Sequence, residues 1–303
     1  MYQLYRSVPV VWRSARCLQL GIDDPALIDG LAPADTELVS LVRMGIEVED
    51  FFDRAEKLGV DASRAASLLA ILDEAGALVP LDTEEATRPD PLPTAHTDAW
   101  AARAHTSPAR VSARLAARTV YVTGPFRDDL AVLLTAAGLV TRVVDRVEDV
   151  PDDPGVLVVL TAVWAADAVA AGFLAEAGRE HLHVVVGQSR AEISHVVVPA
   201  RTPCTRCAFH HRGTEDPDWM VAWRSVWREQ PAAGRTDPVL AHLALGHAAE
   251  AVRSHVVHPR EVPTDLEVAL PHGAVTELVA AFHPSCDCRL PMTHIDDRTD
   301  LSA

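Results

Sequence analysis

Four cysteines stand in two tight pairs: Cys204 and Cys207 in PCTRC, then Cys286 and Cys288 in HPSCDC. Two close pairs brought together from distant parts of a chain make a four-sulfur cage suited to tetrahedral zinc. Four thiolates leave no open position for a catalytic water, so the spacing predicts a closed, structural site. A CxxC alone also fits a redox pair, and disulfides or unligated thiols remain the plainer alternatives. Cys17 has no such neighbour and reads as a lone apolar filler.

The 303 residues leave room for two modest domains. With 49% hydrophobic and 23% charged residues the chain can build a core, which excludes global disorder. No secretory signal pattern opens the chain and no apolar run spans a bilayer, so a cytoplasmic protein is expected, without a membrane partner. A reducing compartment favours metal thiolates over disulfides. The net charge of −16 argues against nucleic acid, which needs a positive surface to displace counterions.

Residues 1–82 read as one small unit. Val8 to Arg13, Cys17 to Gly21 and Ala26 to Asp29 have strand character. Pro33 opens a first helix, Val48 to Leu58 form a second closed by Gly59, and Asp61 caps a third ending at Gly76. Strands with three short helices suggest a winged-helix-like module. Residues 83–118 form a linker marked by Pro89, Pro91 and Pro93, with Ala-rich connecting helices around Trp100 and Arg110.

Residues 119–303 alternate apolar strands with helices, which implies a buried, mostly parallel sheet. Strands are expected at Val120 to Thr123, Leu139 to Val144, Val156 to Leu160, Leu182 to Val186 and Ile193 to Val198. Helices are expected at Asp128 to Ala137, Trp164 to Ala177 and Pro238 to His255, with a hairpin turning at Pro271, His272 and Gly273.

A nucleotide phosphate ordinarily sits at the first strand–helix turn of such a sheet, on glycine amides and a helix N-terminus. Here that turn runs from Gly124 through Pro125, Phe126 and Arg127 to Asp128 and Asp129, with one glycine where the fingerprint has three. Proline offers no amide hydrogen, Phe126 crowds the space, and the two aspartates occupy the field an anion would use. Asp145 stands where a ribose-binding acid belongs, and equally fits a solvated strand end. The pattern is that of a dinucleotide fold with its nucleotide chemistry lost.

This order of elements, with VVPARTPCTRC, DPDW, HPSCDC and the early run WRSARCLQLG, resembles the ThiF-like (ubiquitin-activating-type) leader-peptide-binding proteins of azole- and azoline-forming (TOMM) peptide clusters. These are also called cyclodehydratase C-proteins. The resemblance implies zinc on Cys204, Cys207, Cys286 and Cys288, and an N-terminal module that recognises a precursor leader peptide. It also implies a homodimer through the α/β domain. Active superfamily members adenylate a carboxylate with ATP; this chain departs from them at Gly124 to Asp129, and at Thr161 to Trp164, which reads TAVW. ATP is therefore not expected, and no YcaO-type domain follows, so activation is expected from a separate YcaO-type cyclodehydratase. An active adenylyltransferase is the rival reading. A winged-helix DNA regulator is a third, disfavoured because the third helix carries Asp61, Asp73 and Glu74 against Arg64 alone.

A recognition module of this kind works by strand addition. The expected edge is Ala26, Leu27, Ile28 and Asp29, with Arg64, Leu68 and Ile71 of the third helix as the facing wall. Leu68 equally fits the core, and Arg64 a plain surface charge. Trp219, Trp223 and Trp227 recur every fourth residue, as core, subunit packing or a docking face for the cyclodehydratase. His210 and His211 follow the first cysteine pair and read as surface groups rather than ligands.

Overall fold

The computed structural model describes residues 1–23, 25–80, 95–153, 155–229, 236–258 and 262–289. They form two compact units, Met1–Arg114 and Leu115–Ala303. Pro89, Pro91 and Pro93 lie outside the described residues.

In the first unit, β1 (Val10–Ser14), β2 (Cys17–Leu20) and β3 (Ala26–Ile28) make an antiparallel sheet in that order. Alternation sends Leu18, Leu20 and Ile28 inward and leaves Leu27 outside. Three helices cover the sheet's apolar face: α1 (Pro33–Met44), α2 (Val48–Lys57) and α3 (Ala62–Glu74). Pro33 starts α1 where its missing N–H costs nothing, and the Asp35 carboxylate accepts from the Ala32 N–H at 2.8 Å. Asp61 caps α3, accepting from the Arg64 N–H at 2.8 Å. Leu38, Val42, Phe51, Ala65, Leu68 and Leu72 meet the inward strand residues in one core. The Ala-rich helices α4 (Ala95–Arg103) and α5 (Pro108–Ala116) follow, and the Tyr5 hydroxyl donates to the Thr106 carbonyl between them at 2.7 Å.

The second unit holds a seven-stranded sheet. Its elements are β4 (Thr119–Thr123), α6 (Arg127–Ala136), β5 (Val140–Val143), β6 (Val156–Val163), α7 (Ala168–Glu176), β7 (Glu180–Val186) and β8 (Arg190–Ile193). Helices α8 (Thr205–Glu215), α9 (Trp219–Glu229) and α10 (Pro238–Val257) precede the hairpin of β9 (Thr264–Ala269) and β10 (Ala274–Val279). The sheet order is β10-β9-β8-β7-β6-β4-β5. Every residue of β6 is buried, as a central strand requires. One face packs Val156, Val158 and Leu160 against Ala170, Ala171 and Leu174 of α7.

Three expectations need correction. The sheet is mixed rather than mostly parallel: β5, β4, β6 and β7 run parallel, but β7, β8, β9 and β10 pair antiparallel. The helix expected from Trp164 starts at Ala168, because β6 continues to Val163 and Trp164 takes a positive φ of 67° that no helix accepts. Asp167 caps that helix through the Val169 and Ala170 N–H groups. The strand expected at Ile193 to Val198 lies at Arg190–Ile193, because the Ser194 hydroxyl takes the His183 N–H in place of a backbone carbonyl. Beyond it only Val197 bridges back to β7, at His181. Among the described residues no helix is long and apolar enough to cross a membrane.

Candidate functional site

The four cysteines come together as their spacing predicts. Cys204 is the N-cap of α8 and Cys207 sits in its first turn, its N–H donating to the Cys204 carbonyl at 2.9 Å. The second pair follows a turn in which the Cys286 N–H donates to the His283 carbonyl at 3.0 Å. All four Sγ atoms lie within 4.8 Å of one another. The Cys204–Cys286 separation is 3.7 Å and the Cys207–Cys288 separation 3.5 Å. A tetrahedral ion with Zn–S bonds of about 2.3 Å sets its sulfurs roughly 3.8 Å apart, so the donor set fits zinc with shifts of about 1 Å or less.

Electrostatics point the same way. Burial and the neighbouring thiols push Cys286 up to about 11 and drive Cys288 up as well. Burial also raises Cys207, but N–H groups from His283 and Cys204 outweigh it and hold that thiol below its ordinary value. Four sulfurs this close resist sharing negative charge without a cation among them.

Neighbouring groups fix the cage in place. His195 bonds Asp265 of β9 through Nδ1 at 2.7 Å and the Pro203 carbonyl through Nε2 at 2.8 Å, which ties the residue before Cys204 to the sheet. An exposed Arg206–Asp287 pair at 3.4 Å joins the two cysteine turns. His210 and His211 pack their rings against His283, with centroids 4.9 and 4.8 Å away, and join no ligand cluster among the described residues.

At the turn after β4 two of the amides a phosphate would use, those of Phe126 and Arg127, are already engaged. Gly124 has φ +96°, and a Cβ there would stand 1.9 Å from the Thr161 carbonyl oxygen, so this glycine serves close packing. Phe126 is buried, and its N–H donates to Thr161 Oγ1 at 3.1 Å. That hydroxyl donates in turn to the Thr123 carbonyl at 2.8 Å. Arg127 pairs with the exposed Asp145 at 2.6 Å, in keeping with a solvated strand-end acid. The sequence marks Thr161 only as the start of the TAVW run; its role in bonding the turn had no signal beyond a hydroxyl inside an apolar strand.

The seven residues expected to form the peptide edge and its facing wall divide between surface and core. Ala26, Leu27 and Ile28 form β3, which pairs with β2 on one side and with no described strand on the other; Asp29 follows it. Leu27 is 54% exposed and Ile71 41% exposed. Ile28 at 6% and Leu68 at 2% belong to the core instead and offer no side chain to a ligand. The Arg64 guanidinium pairs with the buried Asp35 at 2.6 Å, which holds that carboxyl below its ordinary range and links α3 to α1.

Comparison with solved structures places this architecture. The heterocyclase TruD superposes with a TM-score of 0.69 at 17% identity, over 95% of this chain and 42% of TruD. MccB of E. coli superposes with a TM-score of 0.63 at 11% identity, over 95% of this chain and 96% of MccB. The ATP-bound form of MccB gives 0.64 at 11% identity, over 95% and 99%. The chain thus spans less than half the length of TruD. No protein-family model matches the sequence, and no curated protein does. At these identities the likeness is one of fold: along nearly its whole length the chain shares the architecture of TruD and MccB, in keeping with the family its sequence resembles.

Proposed function

We propose that the first unit recognises the leader of a ribosomally made precursor peptide and presents it to a separate YcaO-type cyclodehydratase in azole and azoline biosynthesis. The chain itself makes and breaks no bond. The open edge of β3, with Leu27 and Ile71 on the surface beside a fixed core, is the observation that carries this reading. An extended leader adding to β3 gains main-chain hydrogen bonds, while exposed apolar side chains select its residues. Tethering then raises the effective concentration of the core peptide at the partner's active site to about millimolar for a short linker.

The fold neighbours support this assignment. One is a heterocyclase solved with substrate and cofactor, and one MccB structure holds MccA. The occupied turn at Gly124 to Asp129 supports a presenting role over adenylation, since its amide and its acid are both engaged. Zinc on Cys204, Cys207, Cys286 and Cys288 would cross-link the second unit as scaffold, with a homodimer formed through that unit.

Fluorescence polarisation with a labelled leader from a neighbouring precursor gene tests the reading. Micromolar or tighter binding is expected, lost in Leu27→Glu and kept with zinc-site folding intact. Absence of saturable binding to every local precursor overturns it, and peptide-dependent ATP–pyrophosphate exchange would replace it with the adenylating alternative.

A further inference from the structure

Acidic groups flank the open edge of β3. Two residues apart on an extended strand, Leu27 and Asp29 point to the same face, and both are exposed on either side of the buried Ile28. Asp29 Oδ1 accepts from the Gly30 N–H at 2.8 Å, and no cation pairs with this carboxylate among the described residues. Asp23, also exposed, stands just before the strand.

Helix α3 is fastened to the segment leading out of β3: Arg64 pairs with Asp35 at 2.6 Å, and Asp35 accepts from the Ala32 N–H at 2.8 Å. Alternating spacings of three and four put Ser67, Ile71 and Glu74 on the same side of α3 as Arg64, and all four are exposed. Asp35 neutralises Arg64, whereas Glu74 has no ion pair among the described residues. A second arginine, Arg16, belongs to the turn between β1 and β2, where its carbonyl accepts from the Leu31 N–H at 3.0 Å. Its backbone therefore lies on the side of β3 that β2 already occupies.

We propose that the peptide added to β3 is basic: an apolar residue stands opposite Leu27 and, two positions away, a lysine or arginine stands opposite Asp29. This inference rests on the leader-recognition reading and names the class of leader. Cross-strand pairs of opposite charge strengthen a sheet, and like charges face to face weaken it, so Asp29 selects against an acidic residue in that register. A spacing of two keeps both peptide side chains on the face shared by Leu27 and Asp29, whichever way the peptide runs. Glu74 repeats the pattern beside Ile71 on α3, one helical turn along. The chain's net charge of −16 adds long-range steering of a cationic peptide.

The probe is the labelled leader of the adjoining precursor gene, titrated against the full chain by fluorescence polarisation. Its sequence should hold a lysine or arginine two positions from a large apolar residue. Reversing that basic residue to glutamate should weaken binding about ten-fold, and the same charge change one position along, on the other face, much less. Asp29→Lys should restore the reversed peptide to within about two-fold of the original pair. Asp29→Asn keeps an oxygen for the Gly30 N–H and removes the charge, so it should weaken the unaltered leader about three-fold with the unfolding temperature unchanged. Added salt should weaken the original pair and slow its association. A binding leader without a basic residue at that spacing, or equal binding of the reversed peptide to wild type, overturns the basic motif and leaves leader recognition standing. Absence of saturable binding by any local leader removes both. The peptide series on wild type decides the matter even if a variant fails to fold.

Discussion

The edge of β3 and the turn after β4 both present backbone where a ligand could approach, yet they differ in what that backbone already does. Among the described residues β3 is paired on one side only, and its flanking side chains divide cleanly into core and surface. In the turn, the Phe126 amide, the Thr161 hydroxyl and the Asp145 carboxylate are all committed to one another's neighbours. The lesson is that a familiar fold need not carry its usual site with it. Whether backbone groups are free, rather than which architecture displays them, decides where binding can occur.

The largest test asks whether the second unit is metal-pinned scaffold. Structural zinc contributes about 10–16 kcal/mol in finger peptides near neutral pH, comparable to a domain's whole stability. Cys204→Ser or Cys286→Ser should give insoluble or partly unfolded protein, with elemental analysis reporting one zinc per wild-type chain and none in the variants. Well-folded wild-type protein devoid of metal would remove the scaffold from the comparison.

Next comes the turn itself. Gly124→Ala places a methyl 1.9 Å from the Thr161 carbonyl oxygen at φ +96°, and should cost about 4 kcal/mol, in the range reserved for clashes and strained backbone. Chemical denaturation measures it. A change below about 1 kcal/mol would mean the turn is loose enough to open for a phosphate.

A third effect follows pH. Burial depresses His181 to about 4 and His183 to about 3, against an ordinary value near 6.5. Both are neutral in the fold, so the unfolded chain binds more protons as pH falls below about 6.5, and the stability they contribute is present above it. Unfolding free energy should drop on the order of a few kcal/mol between pH 6.5 and about 4. His183→Leu should flatten part of that slope. An unchanged slope would show that this strand is not the dry core that holds the scaffold side of the comparison.

Sequence made parts of this legible for physical reasons. Cysteine spacing announced the cage because metal geometry admits few arrangements, and a cap such as Asp61 acts within one turn of its own position. Alternation identified β3, but not that Ile28 faces the core while Leu27 does not; only pairing with Leu18 fixes that register. Apolar continuity likewise failed to place the boundary between β6 and α7, since Val163 and Ala165 suit either. The antiparallel half of the sheet was hidden because β8 and β9 are partners across more than seventy residues.

The smallest expected effect is the most specific to the open edge. If a leader adds to β3 as a strand, its amides alternate between bonding β3 and pointing away. Single N-methylation along a synthetic leader should then weaken binding with a period of two. Each inward amide should lose about 0.5–1.5 kcal/mol, or roughly two- to thirteen-fold in Kd, and outward amides much less. Side-chain recognition on a helix or loop gives no such period. Leu27→Glu should abolish binding of every peptide in the series without altering the unfolding curve, whereas Ile28→Glu should unfold the first unit, because that side chain closes its core. A flat N-methyl profile with tight binding would leave the leader as ligand but move it off β3, and the contrast between open edge and committed turn would lose its functional meaning.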